Sequence, residues 1–246
     1  MLYLIGTGLY YLNDLPFRAI NILRSCREAY LETYTNLIDT RSLALIEKEI
    51  GKKITLAGRE EIEAETLVEK AVSEDVCLLV PGDPLSATTH LALILSCKEK
   101  GIDYEVIHAG SIFTAVAETG LSAYRFGAAA SMPIYRENYS PTSFFDVIEN
   151  NIKSGLHTLV LLEAERKDRF LGVEEAVDRL KKIEKERRLQ IICWEKVIAV
   201  SKLGSRESSI WMVNDDIEKK REPPFSIVIP GRLSRLEEEA MLKLLH

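Results

Sequence analysis

The sequence predicts a two-domain α/β protein, with a doubly wound parallel sheet over residues 1–111 and a mixed-sheet domain over residues 112–246. Three observations predict it. Short, continuously apolar runs alternate with helical stretches five times before residue 111, which is the pattern of strands buried on both faces by crossover helices. Three of those runs end in turns of small residues: Gly6-Thr7-Gly8, Pro81-Gly82-Asp83-Pro84 and Ala109-Gly110-Ser111. Beyond Gly120 the alternation lapses, and later strands come closely spaced, as in hairpins. Ligands of open α/β sheets bind outside the carboxyl ends of the strands, so the three turns mark the functional edge.

The first run, Met1 to Ile5, enters Gly6-Thr7-Gly8-Leu9. The third glycine of a dinucleotide fingerprint would fall at position 11, which is Tyr11, so that fingerprint is absent. What remains is a tight turn where backbone can approach a ligand. Leu15 to Ser25 has helical spacing, with Asn13-Asp14 as its candidate cap. A strand over Ala29 to Tyr34 follows, ending in Glu32-Thr33-Tyr34-Thr35, then a helix over Thr40 to Ile50, a strand at Ile54 to Leu56 and a helix over Glu60 to Ser73. Val76 to Val80 is the central strand. Pro81, Gly82 and Pro84 end it, and Thr88-Thr89 offers caps for a helix from Thr89 to Lys100. Asp83 therefore sits on a strand-to-helix turn. A carboxylate there can accept from a ligand hydroxyl or amine; closing an Asx-turn on its own backbone is the simpler use. Tyr104 to His108 is the fifth strand, and Ser111 caps a helix over Phe113 to Glu118.

In the second half, Pro141 breaks a loop and Thr142 or Ser143 caps a helix to Lys153. Leu159 to Leu162 is a strand, with His157 before it, and Gly172 to Leu189 is an amphipathic helix whose Lys181 to Arg188 segment interleaves charges on a solvated face. Val197 to Val200 and Ser208 to Val213 form a hairpin around Lys202-Leu203-Gly204-Ser205. Ser226 to Ile229 follows Pro223-Pro224-Phe225, and a last helix starts near Ser234.

Composition narrows the function class. Apolar residues make up 46% and charged residues 28% of the 246 residues, ordinary for a globular protein. No apolar run approaches the ~18 residues a membrane span needs, which makes a cytoplasmic enzyme the expectation. The net charge of −6 disfavours a dedicated nucleic-acid binder. Cys26, Cys77, Cys97 and Cys193 lack metal-type spacing and read as reduced core residues, and the four histidines are equally dispersed, so no metal site is expected.

The stretch Pro81-Gly82-Asp83-Pro84-Leu85-Ser86-Ala87-Thr88-Thr89-His90 resembles a signature turn of the tetrapyrrole (precorrin-type) methylase superfamily. Its full length, with Tyr3 to Leu9, Glu32 to Thr35, Pro141-Thr142-Ser143-Phe144-Phe145-Asp146 and Gly155 to Leu162, is similar to the branch that methylates a modified histidine on elongation factor 2. The resemblance implies S-adenosyl-L-methionine as methyl donor, with S-adenosyl-L-homocysteine as product, held in a cleft between the two domains. It implies contacts from Leu9, Asp83, Ser86, Ser111, Ile112, Leu162, Leu203 and Phe225. Where the branch commonly has a histidine after Pro-Pro, this chain has Phe225, which suits a pocket wall and removes a polar contact.

The resemblance further implies a homodimer, elongation factor 2 as protein substrate, and trimethylation without an ester, the last because the chain has no extension after its final helix. Methyl transfer from a sulfonium needs chiefly placement, so no catalytic residue is assigned. The same fold acting on a tetrapyrrole or ribosomal RNA, and a binding module without turnover, are the alternatives; titration with the cofactor followed by a transfer assay separates them.

Overall fold

A computed structural model describes residues 1–10, 14–34, 40–166, 169–214 and 221–245. The chain divides into two compact units, Met1–Ile112 and Phe113–His246.

In the first unit, β1 (Leu2–Gly6), β2 (Glu28–Glu32), β3 (Thr55–Ala57), β4 (Val76–Val80) and β5 (Tyr104–Ile107) form one sheet in the order β3-β2-β4-β1-β5. All its pairings are parallel, with Leu4 between Leu78 and Val106. The apolar runs are continuous because both faces are covered. Leu2, Leu4, Leu78 and Val80 pack on one side with Leu67, Val68 and Leu93; Ile5, Cys77, Leu79 and Ile107 pack on the other with Ala19, Leu23 and Ile46. The helices are α1 (Phe17–Ser25), α2 (Thr40–Ile50), α3 (Arg59–Glu63), α4 (Thr66–Lys70) and α5 (Leu91–Glu99).

Several local expectations are corrected here. The helix expected over Glu60 to Ser73 is two short helices, because Glu65 takes a left-handed backbone, φ 59°, between them. Its carboxylate bonds Ser96 and Lys100 from that position. Helix α5 starts at Leu91, and Thr88 donates its hydroxyl to the Pro84 carbonyl at 2.6 Å instead of capping. Helix α1 starts at Phe17 without a side-chain cap; Asn13 and Thr35 lie outside the described residues.

Helix α6 (Ile112–Ala115) begins at the last residue of the first unit and is continued by a 3-10 turn at Val116–Thr119, so the helix expected from Ser111 is short. The second unit continues with β6 (Ala130–Met132), α7 (Ser143–Lys153), β7 (Thr158–Leu162), β8 (Ala164–Arg166), β9 (Arg169–Phe170), α8 (Val173–Glu186), β10 (Ile198–Ser201), β11 (Ser209–Met212), β12 (Phe225–Ile229) and α9 (Arg235–Leu244). The sheet order is β11-β10-β12-β7-β6, antiparallel except for β6 beside β7, so it is mixed. Strands β6, β8 and β9 have three residues or fewer and carry no periodicity a sequence reading detects.

Two residues depart from their sequence context, while His157 stands before β7 as the sequence places it. Glu184, within the segment expected to be solvated, is buried and accepts from the Ile191 and Ile192 amides and the Trp194 indole. Cys193, expected in the core, is exposed. His157 is fully buried; its Nδ1 accepts from the Gly231 amide at 3.0 Å, and Nε2 donates to Glu237 at 3.0 Å. Glu237 also closes a capping box with Ser234 and pairs with Arg125, so this cluster ties α9 to β7.

Candidate functional site

In the first unit, three backbone segments converge after β1, β4 and β5. Gly8 and Gly82 exchange both main-chain hydrogen bonds, at 3.1 and 3.0 Å. A side chain at Gly6 would place its Cβ 2.6 Å from the Gly82 carbonyl and 2.8 Å from the Ala109 Cβ, so glycine is what lets the segments meet. Gly8, at φ +72°, has the Asp14 side chain against it. The Asp14 carboxylate accepts from the amides of Leu9 at 2.9 Å and Tyr10 at 2.7 Å, which fixes the turn bearing Leu9. Sequence reasoning assigned Asp14 to capping α1; the carboxylate folds back onto the glycine turn.

Asp83 is buried and central. One carboxylate oxygen accepts from the Leu85 amide at 3.0 Å and the Ser86 hydroxyl at 3.3 Å. The other accepts from His108 Nδ1 at 2.7 Å and the Ala109 amide at 3.3 Å. Burial pushes this carboxyl up, but the Leu85 amide, the His108 imidazole and the Ala109 amide outweigh it and hold it below the ordinary value. The loop after β4 is thereby stitched to the loop after β5, where Ser111 is buried and Ile112 half-buried. Five sequence-predicted residues, Leu9, Asp83, Ser86, Ser111 and Ile112, thus lie on the loops and helix start beyond the carboxyl ends of β1, β4 and β5.

Beneath the loop lies a group to which the sequence reading assigned no role. His90 is fully buried, donates from Nδ1 to the Pro84 carbonyl at 3.2 Å, and faces the buried Glu32 carboxylate and the Tyr34 hydroxyl with Nε2, each at 3.4 Å. In the sequence these residues stood only as members of the Glu32 to Thr35 and Pro81 to His90 stretches; Glu32 closes β2, Tyr34 lies just beyond it and His90 immediately precedes α5.

In the second unit, Leu162 closes β7, Leu203 lies in the β10–β11 turn, and Phe225 opens β12 opposite Ser201. The Lys202 amide donates to the Pro224 carbonyl at 3.1 Å, holding the Leu203 turn against the start of β12. All three side chains are buried, and Phe225 packs in one apolar cluster with Leu162, its ring 5.7 Å from that of Phe170 and 6.5 Å from Trp211. Phenylalanine is thus accommodated where the resemblance implies histidine by an aromatic neighbourhood.

The chain's known likenesses give its family. The family described as Tetrapyrrole (Corrin/Porphyrin) Methylases matches residues 1–213. A diphthine synthase of Methanococcus maripaludis is 35% identical, the match covering 98% of this chain and 97% of the relative. A diphthine methyl ester synthase of Kluyveromyces lactis is 38% identical over 99% of this chain and 89% of the relative.

The chain belongs to the tetrapyrrole methylases and, within them, to the diphthine synthases. A crystal structure of a diphthine synthase superposes with a TM-score of 0.86 at 28% identity, covering 99% of this chain and 95% of that one. The α/β fold, with its parallel first sheet and mixed second sheet, is the diphthine synthase fold, and the chain is a methyltransferase. Among the described residues no group of three or more His, Cys, Asp or Glu side chains is placed to hold a metal ion.

Proposed function

We propose that this diphthine synthase family member uses S-adenosyl-L-methionine to trimethylate the amine of the aminocarboxypropyl group on a modified histidine of elongation factor 2. The full-length likeness to diphthine synthases carries the reading. The cofactor contacts in it are Leu9, Asp83, Ser86, Ser111 and Ile112 from the first unit and Leu162, Leu203 and Phe225 from the second.

The first-unit residues suit such a cofactor. A Cβ added at Gly82 or Gly110 would find no atom nearer than 3.9 Å, so at these two positions the loops leave room beside main-chain groups that a polar ligand can bond. The second-unit residues Leu162, Leu203 and Phe225 are buried and apolar, which suits the less polar parts of a ligand. When bound, S-adenosyl-L-methionine supplies a methyl group on a sulfonium, which is already an activated leaving group. The protein's share is to hold a neutral amine in line with that methyl group and to exclude water, a contribution of about 7–11 kcal/mol in favourable intramolecular cases. Amine methylation ends at the quaternary ammonium, which has no lone pair left.

Incubation with labelled cofactor and elongation factor 2 already bearing the aminocarboxypropyl histidine tests the reading. Label on that protein is expected; label only on a tetrapyrrole or on RNA overturns it. Assembly as a cytoplasmic homodimer belongs to the same proposal. Exposed apolar side chains on the second unit, Tyr124, Leu236 and Leu242, support the assembly, and light scattering at micromolar concentration reads it.

A further inference from the structure

Methylating an amine to completion is a proton-transfer problem as much as a placement problem. Only a neutral nitrogen attacks, and each of the first two transfers leaves an ammonium that must shed a proton before the next. An acceptor that starts as an ammonium therefore loses three protons over three transfers. The functional reading above provides no group for this, and the structure holds one.

His108 follows β5 directly, at the edge where the predicted cofactor residues lie, and its side chain is 66% exposed while its partner Asp83 is 9% exposed. The 2.7 Å contact from Nδ1 to the Asp83 carboxylate requires the ring proton to sit on Nδ1. The neutral imidazole then carries its lone pair on Nε2. A carboxylate that orients a histidine in this way also stabilises the imidazolium once formed. Asp83 is itself held by the Leu85 and Ala109 amides and the Ser86 hydroxyl, so it cannot swing away from the ring without breaking those bonds. Charged groups on the surrounding elements are Asp14 on the turn after β1 and the Arg18–Glu105 pair between α1 and β5. Neither occupies Nδ1, and Asp83 is the carboxylate in contact with the ring.

We propose that His108, oriented by Asp83, is the base that takes the proton from the acceptor amine before each methyl transfer. This rests on the reading of the acceptor as an amine. In each cycle His108 Nε2 accepts a proton from the ammonium, the nitrogen lone pair forms the new N–C bond, and the C–S bond breaks with its electron pair on sulfur. The sulfonium becomes a neutral thioether, and the imidazolium, paired with Asp83, returns its proton to solvent through its exposed edge. After the third transfer the nitrogen bears no proton and the base has nothing further to do. The Asp83–His108 pair thus gives Asp83 a second duty beside stitching the two loops.

The test measures single-turnover methylation of the aminocarboxypropyl-bearing elongation factor 2 against pH, for the wild type and His108→Gln, with calorimetric titration of S-adenosyl-L-methionine on both. The expected variant loses a hundredfold or more at neutral pH, about the scale of general-base catalysis, and keeps its cofactor affinity. Added imidazole or raised pH restores part of the rate, and mono- and dimethyl products accumulate. Nitrogen NMR of the wild type without acceptor is expected to show the Nδ1–H tautomer of His108, lost in Asp83→Asn. A variant with wild-type rate and pH profile overturns the base while leaving the acceptor assignment intact, and an Nε2–H tautomer in the wild type overturns the orientation. A wild type that methylates a different acceptor, and not this amine, overturns the functional reading and the base with it.

Discussion

His90 Nδ1 donates to the carbonyl oxygen of Pro84 at 3.2 Å, so a fully buried ring carries the loop that presents Asp83. The other ring nitrogen faces Glu32 and Tyr34, and the loop, β2 and α5 are joined through one imidazole. Replacing His90 by alanine empties a packed site and takes the imidazole away from a buried carboxylate. A loss of about 2–4 kcal/mol in unfolding free energy is expected. Urea denaturation checks it, and an unchanged midpoint would show that the imidazole is dispensable.

Gly6→Ala is expected to disrupt the ligand-facing loops more than the sheet. The new Cβ meets a carbonyl at 2.6 Å and the Ala109 Cβ at 2.8 Å, and these belong to backbone or to a side chain with no freedom to move. Loss of cofactor binding with retention of far-ultraviolet circular dichroism is the outcome to look for; full affinity would mean the loops can separate without cost.

Asp83→Ala should weaken S-adenosyl-L-methionine binding roughly ten- to a hundredfold, the equivalent of ~1.5–3 kcal/mol for hydrogen bonds to a charged group. The variant also frees four donors, so loosening of the loops and loss of any direct ligand contact act in the same direction. Calorimetry reads the affinity, and an unaltered value would reduce Asp83 to a turn residue.

Acid should destabilise the protein through Glu237. Burial pushes this carboxyl up, but the Ser234 amide, the His157 imidazole and the Ser122 amide outweigh it and bring it from 4.5 down to about 2. The folded value is the lower one, so the stabilisation is fully present above pH 4.5 and is lost as pH falls toward 2. Glu237→Gln should therefore be less stable than wild type at pH 7, with the gap closing by pH 2–3, on the order of 3 kcal/mol at most. Parallel denaturation curves at the two pH values decide it; a gap that does not narrow in acid refutes the linkage.

The product is expected to be a trimethylated amine without an ester. The relatives carry both names, diphthine synthase and diphthine methyl ester synthase, at similar identities, so likeness does not choose between them. Mass spectrometry of the histidine peptide before and after mild alkali does, because only an ester loses a methyl group on hydrolysis.

How much of this was legible in the sequence depends on the length scale of each signal. The strands Leu2–Gly6 and Val76–Val80, and the Leu159 to Leu162 part of β7, announced themselves as apolar runs because burial on both faces favours apolar side chains at every position. The converging loops were legible through Gly6 and Gly8, whose surroundings are too close for a side chain, and through Gly82, whose backbone takes a positive φ of +77°. Asp14 and His108 were not, since each acts across a turn or a strand order that local spacing does not encode. Glu184 read as surface because its neighbours are charged, and only the fold-back of the chain onto Ile191 and Ile192 buries it.

The placement of β1 bears on how the first unit is made. This strand lies between β4 and β5, pairing Leu2 with Val76 on one side and with Tyr104 on the other. Neither partner is adjacent in the chain, so β1 completes its hydrogen bonds only once both β4 and β5 are available beside it. Until Ile107 has been synthesised, Leu2, Leu4 and Ile5 have at most one edge to pair with, and their apolar side chains stand open to other nascent chains. In a pulse-labelling exchange experiment the amides of Tyr3 to Ile5 should be protected no earlier than those of β4, and conditions that slow elongation should favour misassembly over rapid closure of this sheet.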